Sequence, residues 1–177
     1  GIYIVGRKII HMVALQITSM KQFMNHLLVA DTFEPFLLEE AVIGTGCTFT
    51  IDGRVNRTFY DDPEEGADSK LPDFRPWGEL KGLCFDLIKG KRTPLFFRFV
   101  LHLTTDKANA LLEKESCGVE PSQVKALALN IRYEGSKAVL TTGTAFHTFV
   151  LSKDADIIWD RALKQYLDGK GIRYEEL

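Results

Sequence analysis

A chain of 177 residues suits one domain with one hydrophobic core, large enough to fold without disulfide or metal staples. Its 45% apolar, 11% aromatic and 26% charged residues exclude a disordered chain, and no apolar run reaches the length of a transmembrane helix. Twenty-two Lys and Arg against 24 Asp and Glu leave a net charge of -2, so no global field draws the chain to nucleic acid or anionic lipid, and any such binding has to come from a local patch.

The opening "GIYIVGRKIIHMVAL" is apolar, but Arg7 and Lys8 interrupt it and no small-residue cleavage site follows, which argues against a secretory signal. Gly1 where an initiating Met would stand suggests a residue left by tag removal, and Met12 opens a strand-like run. Residues 1–11 are therefore expected to be a non-native extension, the alternative being an extra strand over "IYIVG". "MVALQIT" alternates as a strand does, with Val13, Leu15 and Ile17 on one face; Ser19 then caps a helix to about Val29 whose apolar stripe is Met20, Phe23, Met24, Leu27 and Leu28. After Pro35, "FLLEEAVIGTGCTFTIDGRVNRTFY" reads as two or three antiparallel strands, with Asp52-Gly53 supplying the positive backbone angles of a tight hairpin. "DDPEEGADSKLPDFRP", residues 61–76, holds three prolines and eight charges and is expected to be an exposed connection. Helical spacing resumes from Trp77 to Ile88.

The second half begins with the alternating strand "LFFRFVLHLT", which puts Phe97, Phe99, Leu101 and Leu103 on one face and Arg98 and His102 on the other. Thr104 and Thr105 offer a cap for the short helix "DKANALLEKES". Beyond Pro121, "VKALALNIRY", a turn at Glu134-Gly135 and "KAVLTTGTAFHTFVL" form a second hairpin, and a last helix runs from about Asp154 to Leu167. The order strand, helix, hairpin, helix thus occurs twice. Gly53 and Gly135 are 82 residues apart, as are Trp77 and Trp159, so the expected fold is an α+β domain over residues 1–177. It would be internally duplicated as β-α-β-β-α, with halves of about 12–92 and 95–173 and amphipathic helices covering antiparallel sheet.

The densest charge is "LIKGKRTPLFF", where Lys89, Lys91 and Arg92 stand between two apolar runs. Basic residues offset the negative end of a helix and glycine closes it, and the echo in "DGKGIR" near the chain's end favours a helix stop. Three cations are more than a stop requires, however, and with Arg54 and Arg57 they form a candidate anion patch for phosphate groups or, weakly, nucleic acid. The patch is no P-loop: Phe85 stands where its first glycine belongs. "GTG" at 44–46 and "TTGT" at 141–144 read as bulges in strands. His11, His26, His102 and His147 lack metal-ligand spacing, the acidic run lacks calcium-loop spacing, and Cys84 lies between apolar neighbours without a local base. No catalytic constellation, metal or cofactor is expected. Cys47, Cys84 and Cys117, odd in number and widely spaced, suit reduced thiols in the cytoplasm.

At "TFTIDGRVNRTFY" and "CFDLIKGKRTPLFFRF" the chain resembles a bacterial family of unassigned activity, domain of unknown function 5721, from Met12 to about Leu167. The resemblance implies a bacterial cytoplasmic protein and brings no functional residues with it. More loosely, the twice-repeated strand, helix and strands resemble one domain of a DNA sliding clamp. The helices "SMKQFMNHLLV" and "DKANALLEKES" lack the basic excess of a ring that grips DNA, so this likeness concerns architecture alone. The leading expectation is a non-catalytic binding or scaffolding protein, away from membranes, whose partner is another protein or a second copy of the chain. The alternatives are a nucleotide- or phosphate-binding protein or enzyme with a site between the halves, using Lys89, Lys91, Arg92 and His102 or His147, and a weak nucleic-acid binder.

Overall fold

The computed structural model describes residues 2–5, 8–11, 13–60 and 71–177, the first two stretches by their backbone alone. Strands β1 (Ile2–Val5) and β2 (Lys8–His11) pair with each other as a separate antiparallel hairpin; Met12, the expected start, lies outside the described residues. The main body runs β3 (Ala14–Ile17), α1 (Met20–Leu28), β4 (Phe36–Gly44), β5 (Thr48–Asp52), α2 (Arg57–Tyr60), β6 (Arg75–Pro76) and α3 (Trp77–Ile88). It continues with β7 (Phe96–Leu103), α4 (Thr105–Lys114), a 3-10 turn (Pro121–Gln123), β8 (Val124–Glu134), β9 (Lys137–Phe146), α5 (Asp154–Gly169) and β10 (Tyr174–Glu176). The fold is α+β. One eight-stranded sheet, in the order β10-β3-β9-β8-β7-β4-β5 with β6 beside β5 on the outer edge of β4, is antiparallel at every pairing.

Alternation separates the two faces. On β7, Phe97, Phe99 and Leu101 are fully buried, and across the ladder they meet Tyr133, Ile131 and Leu129 of β8. Helices close this face with Phe23 and Leu27 of α1, Trp77 and Cys84 of α3, Leu112 of α4 and Leu163 and Leu167 of α5. Each such side chain contributes on the order of 2 kcal/mol through burial. Both tryptophans seat a polar atom there: the indole N–H groups of Trp77 and Trp159 donate to Leu27 O at 2.9 Å and Ala128 O at 2.8 Å. The opposite face carries Arg98, Val100, His102, Asn130 and Arg132 and stays partly open to solvent.

Several local expectations need correction. Gly53 is not a hairpin residue, because the β4–β5 turn falls at Thr45–Cys47, and the "GTG" read as a bulge is that turn. Gly135 and Ser136 do form the β8–β9 turn, with φ of 59° and 66°, so the two glycines 82 residues apart have unlike roles. Trp77 opens α3, whereas Trp159 lies five residues into α5. The order of element types recurs, but equivalent strands differ in partners: β7 pairs β8, while β3 pairs β9 and β10 rather than β4. "RTFY" forms the short helix α2 instead of a strand. "TTGT" keeps register with β8 and holds no bulge. Residues 61–70 of the acidic connection lie outside the described residues; its end is ordered, since Phe74 bridges Arg54 and β6 joins the sheet.

Candidate functional site

The basic segment begins as a helix stop. The Lys89 N–H donates to Phe85 O at 2.8 Å, and Gly90 then turns the chain with φ of 145°. The Lys89 ammonium lies 2.9 Å from Asp86 and 5.6 Å from the Phe85 ring centroid. The end of α5 repeats the device. The Lys170 N–H donates to Tyr166 O, Gly171 has φ of 72°, and the Lys170 ammonium lies 5.6 Å from the Tyr166 ring. Lys91 and Arg92 come after the stop, exposed on the loop into β7, with no ion-pair partner among the described residues. They join Lys21 of α1 and Lys89 around a cleft of about 440 Å³ whose floor includes Met20, Met24, Ile88, Phe97 and Tyr133. The Phe97 and Tyr133 rings are stacked at 4.8 Å. Among the described residues no aspartate or glutamate lines this cleft.

Arg54 and Arg57 do not belong to it. Arg54, bridged to Phe74, lines a second cavity of about 370 Å³ together with Glu39, His102, Lys125, Asn130 and Asp73, among others, on the face of the sheet that carries His102 and Asn130. Arg57 stands outside that cavity and pairs with Asp73 at 3.2 Å and with Leu71 O at 3.1 Å. The five cations of the expected patch are therefore split between two faces.

The second cavity is built by close backbone approach. The Gly53 N–H donates to Glu39 O at 2.8 Å and the Gly53 carbonyl accepts from the Arg75 N–H at 2.8 Å. A side chain at residue 53 would put its Cβ 1.8 Å from Leu38 O, so glycine is required for contact rather than for torsional freedom. The residue it braces, Glu39, lies 2.8 Å from His102 Nε2. The Phe74 ring stands edge-on to His102 at 5.0 Å, and the Arg54 guanidinium sits 5.2 Å from the centroid of Phe74. Ala126, Ala128, Gly143 and Ala145 leave the floor low. Nothing in the spacing of Glu39 or Lys125 singled them out beforehand.

The remaining candidates are accounted for elsewhere. His147 is exposed, and its backbone N–H donates to Gln123 O; His26 Nδ1 lies 2.6 Å from Thr32 Oγ1. The side chain of His11 lies outside the described residues. Burial pushes the Cys84 thiol up to about 12, which keeps it protonated and removes it as a nucleophile. Burial also raises the Asp160 carboxyl, against the Thr142 hydroxyl that donates to it; this contact ties α5 to β9. Among the described residues no three His, Cys, Asp or Glu side chains gather to hold a metal, and no helix is long and apolar enough to cross a membrane.

An antiparallel sheet with helices over one face, a basic cleft at the helix side and a charge-balanced cavity on the open side define an α+β protein whose two charged concave surfaces lie on opposite sides of the sheet. Residues 26–175 match the model of a family of unknown function, DUF5721, and the chain belongs to that family. No curated protein and no solved structure matches it.

Proposed function

We propose that the chain is a non-catalytic binding protein and that the basic cleft takes a ligand carrying a phosphate group on an apolar body. The observation that supports this is the lining: Lys21, Lys89, Lys91 and Arg92 with no carboxylate among them, above a floor of methionines and stacked aromatic rings. Lys89 is paired with Asp86, but Lys21, Lys91 and Arg92 have no ion-pair partner among the described residues, and three such cations around one cleft favour a group of nearly two negative charges. The methionines and aromatic rings accept a planar or aliphatic body, and 440 Å³ falls within the range of ligand pockets. Free Cys47, exposed at a turn, supports a reducing compartment and hence a cytoplasmic location.

Thermal unfolding with AMP, ATP, pyrophosphate and a short oligonucleotide, at low and moderate salt, tests this reading on the wild type and on a Lys91→Ala, Arg92→Ala double variant. A nucleotide should raise the wild-type Tm by several degrees at about a hundredfold excess over Kd, and leave the variant unmoved. Equal shifts in both proteins, or none in either, overturn the assignment. A response to the oligonucleotide alone, collapsing with salt, transfers the cleft to weak nucleic-acid binding.

A further inference from the structure

Two irregularities in a regular sheet lead to the same cavity. β4 has one residue more than β7 between Leu38 and Glu40, and β8 has one more than β9 between Val124 and Ala126. The extra residues are Glu39 and Lys125, and both line the cavity on the open face. A bulge interrupts the ladder and re-aims a side chain, which is why bulges gather beside sites. Two bulges thus set opposite charges around one 370 Å³ space.

The charges do not neutralise each other. Glu39 is engaged by His102, while Lys125 is exposed and has no ion-pair partner among the described residues. The bulges are two strands apart and four to five residues apart along them, so their Cα atoms are separated by roughly 17 Å. Side chains reaching inward from both ends leave a gap for a short ligand. Arg54 and Asp73 add one further charge of each sign, so the cavity is balanced overall and suits a ligand that is itself neutral but dipolar.

The geometry points to a binding site for a small zwitterion whose ammonium and carboxylate are several ångström apart, as the termini of a dipeptide are. The ammonium is held by Glu39, which His102 positions, and the carboxylate by Lys125. Asn130 and Thr144 supply hydrogen-bond donors and acceptors for an intervening amide, and the low floor at Ala128 and Gly143 leaves room for it. This site is independent of the basic cleft and of its proposed phosphate ligand.

The test is an NMR titration of the labelled full chain with Ala-Ala, N-acetyl-Ala-Ala and Ala-Ala amide. Ala-Ala should move the amides of Glu39, Lys125 and Gly143 saturably, and capping either terminus should weaken binding at least about tenfold. Lys125→Met should cost about tenfold as well. Gly143→Leu should abolish binding by filling the floor, since a Cβ there meets only Asn130 Nδ2 at 3.8 Å and Ala128 Cβ at 3.9 Å and leaves the strand undisturbed. Unchanged amide shifts in β3, α1 and α5, away from the cavity, report on each variant that the fold is intact. Absence of saturable shifts with Ala-Ala, equal binding of the capped peptides, or wild-type binding by Lys125→Met would each overturn the proposal.

Discussion

In the basic cleft Lys91 and Arg92 stand on a loop past the end of a helix, whereas in the cavity across the sheet Glu39 and Lys125 stand on strands, at bulges in the hydrogen-bonded ladder. Lys91 and Arg92 can be exchanged without touching the fold, because their backbone is exposed and their side chains carry no packing. Glu39 cannot be moved without moving β4, because the Gly53 N–H bonds to Glu39 O and the Gly53 carbonyl is in turn held by the Arg75 N–H. One region can vary its chemistry freely; the other holds its chemistry by backbone geometry.

Gly53→Ala should break that comparison most forcefully. A methyl 1.8 Å from Leu38 O has no flexible side chain to displace, so the backbone must separate and the bonds from the Gly53 N–H to Glu39 O and from the Arg75 N–H to Gly53 O are lost. Urea denaturation should show a loss of about 3 kcal/mol or more. A loss below about 1 kcal/mol would mean that the bulge stands without its glycine. The double variant Lys91→Ala, Arg92→Ala should do the reverse. Calorimetric titration should register a fall in phosphate-ligand affinity of roughly tenfold to a hundredfold, with stability within about 0.5 kcal/mol of wild type. Lys89→Ala separates stop from grip: it removes the contacts with Asp86 and Phe85 and should cost stability by about 0.5 kcal/mol while affecting affinity less than its neighbours do.

How much of this was legible in the chain depends on the range of the interaction involved. β7 followed from strict alternation in "FFRFVLHL", and α3 from the spacing of Trp77, Leu80, Cys84 and Ile88, because local periodicity reports local structure. The turn at Gly135 followed for the same reason. Gly53 was misread because a glycine needed for close approach looks the same as one needed for a turn, and only the partner strand distinguishes them. The bulge at Glu39 is not marked in the sequence, because Phe36, Leu37 and Leu38 are all apolar and buried, and alternation becomes clean only afterwards, at Ala41 and Ile43. Val124, by contrast, is out of phase with Leu127, Leu129 and Ile131 on either side of Lys125. Which charges share a cavity could not be read, since strand order is non-local and places β4 beside β7, far along the chain.

Cys84 tests whether α3, the wall of the basic cleft, is as fixed as the bulges. Its thiol is raised from 9.0 to about 12 by burial, so the folded chain keeps a proton that the unfolded chain releases. Stability from this source is complete below about pH 9 and is lost as pH rises from there toward 12. Urea midpoints followed from neutral pH to about pH 10.5 should fall more steeply for the wild type than for Cys84→Ala. Parallel slopes would mean that Cys84 reaches water in the native state and that α3 lifts from the sheet.

Glu39→Gln should have a small effect on stability and the sharpest effect on the comparison. Glutamine keeps the shape at the bulge and can still accept a hydrogen bond from His102, and the Glu39 side chain is 42% exposed, so water already screens much of its charge. The backbone contact through Glu39 O is untouched, because it does not involve the side chain. Denaturation should therefore shift by less than about 1 kcal/mol, against the several lost in Gly53→Ala. Affinity for Ala-Ala should nevertheless fall, because the counter-charge for the ammonium is gone. A large loss of stability instead would assign the carboxylate to the fold, with Glu39 bulged so that it can reach His102 rather than a ligand.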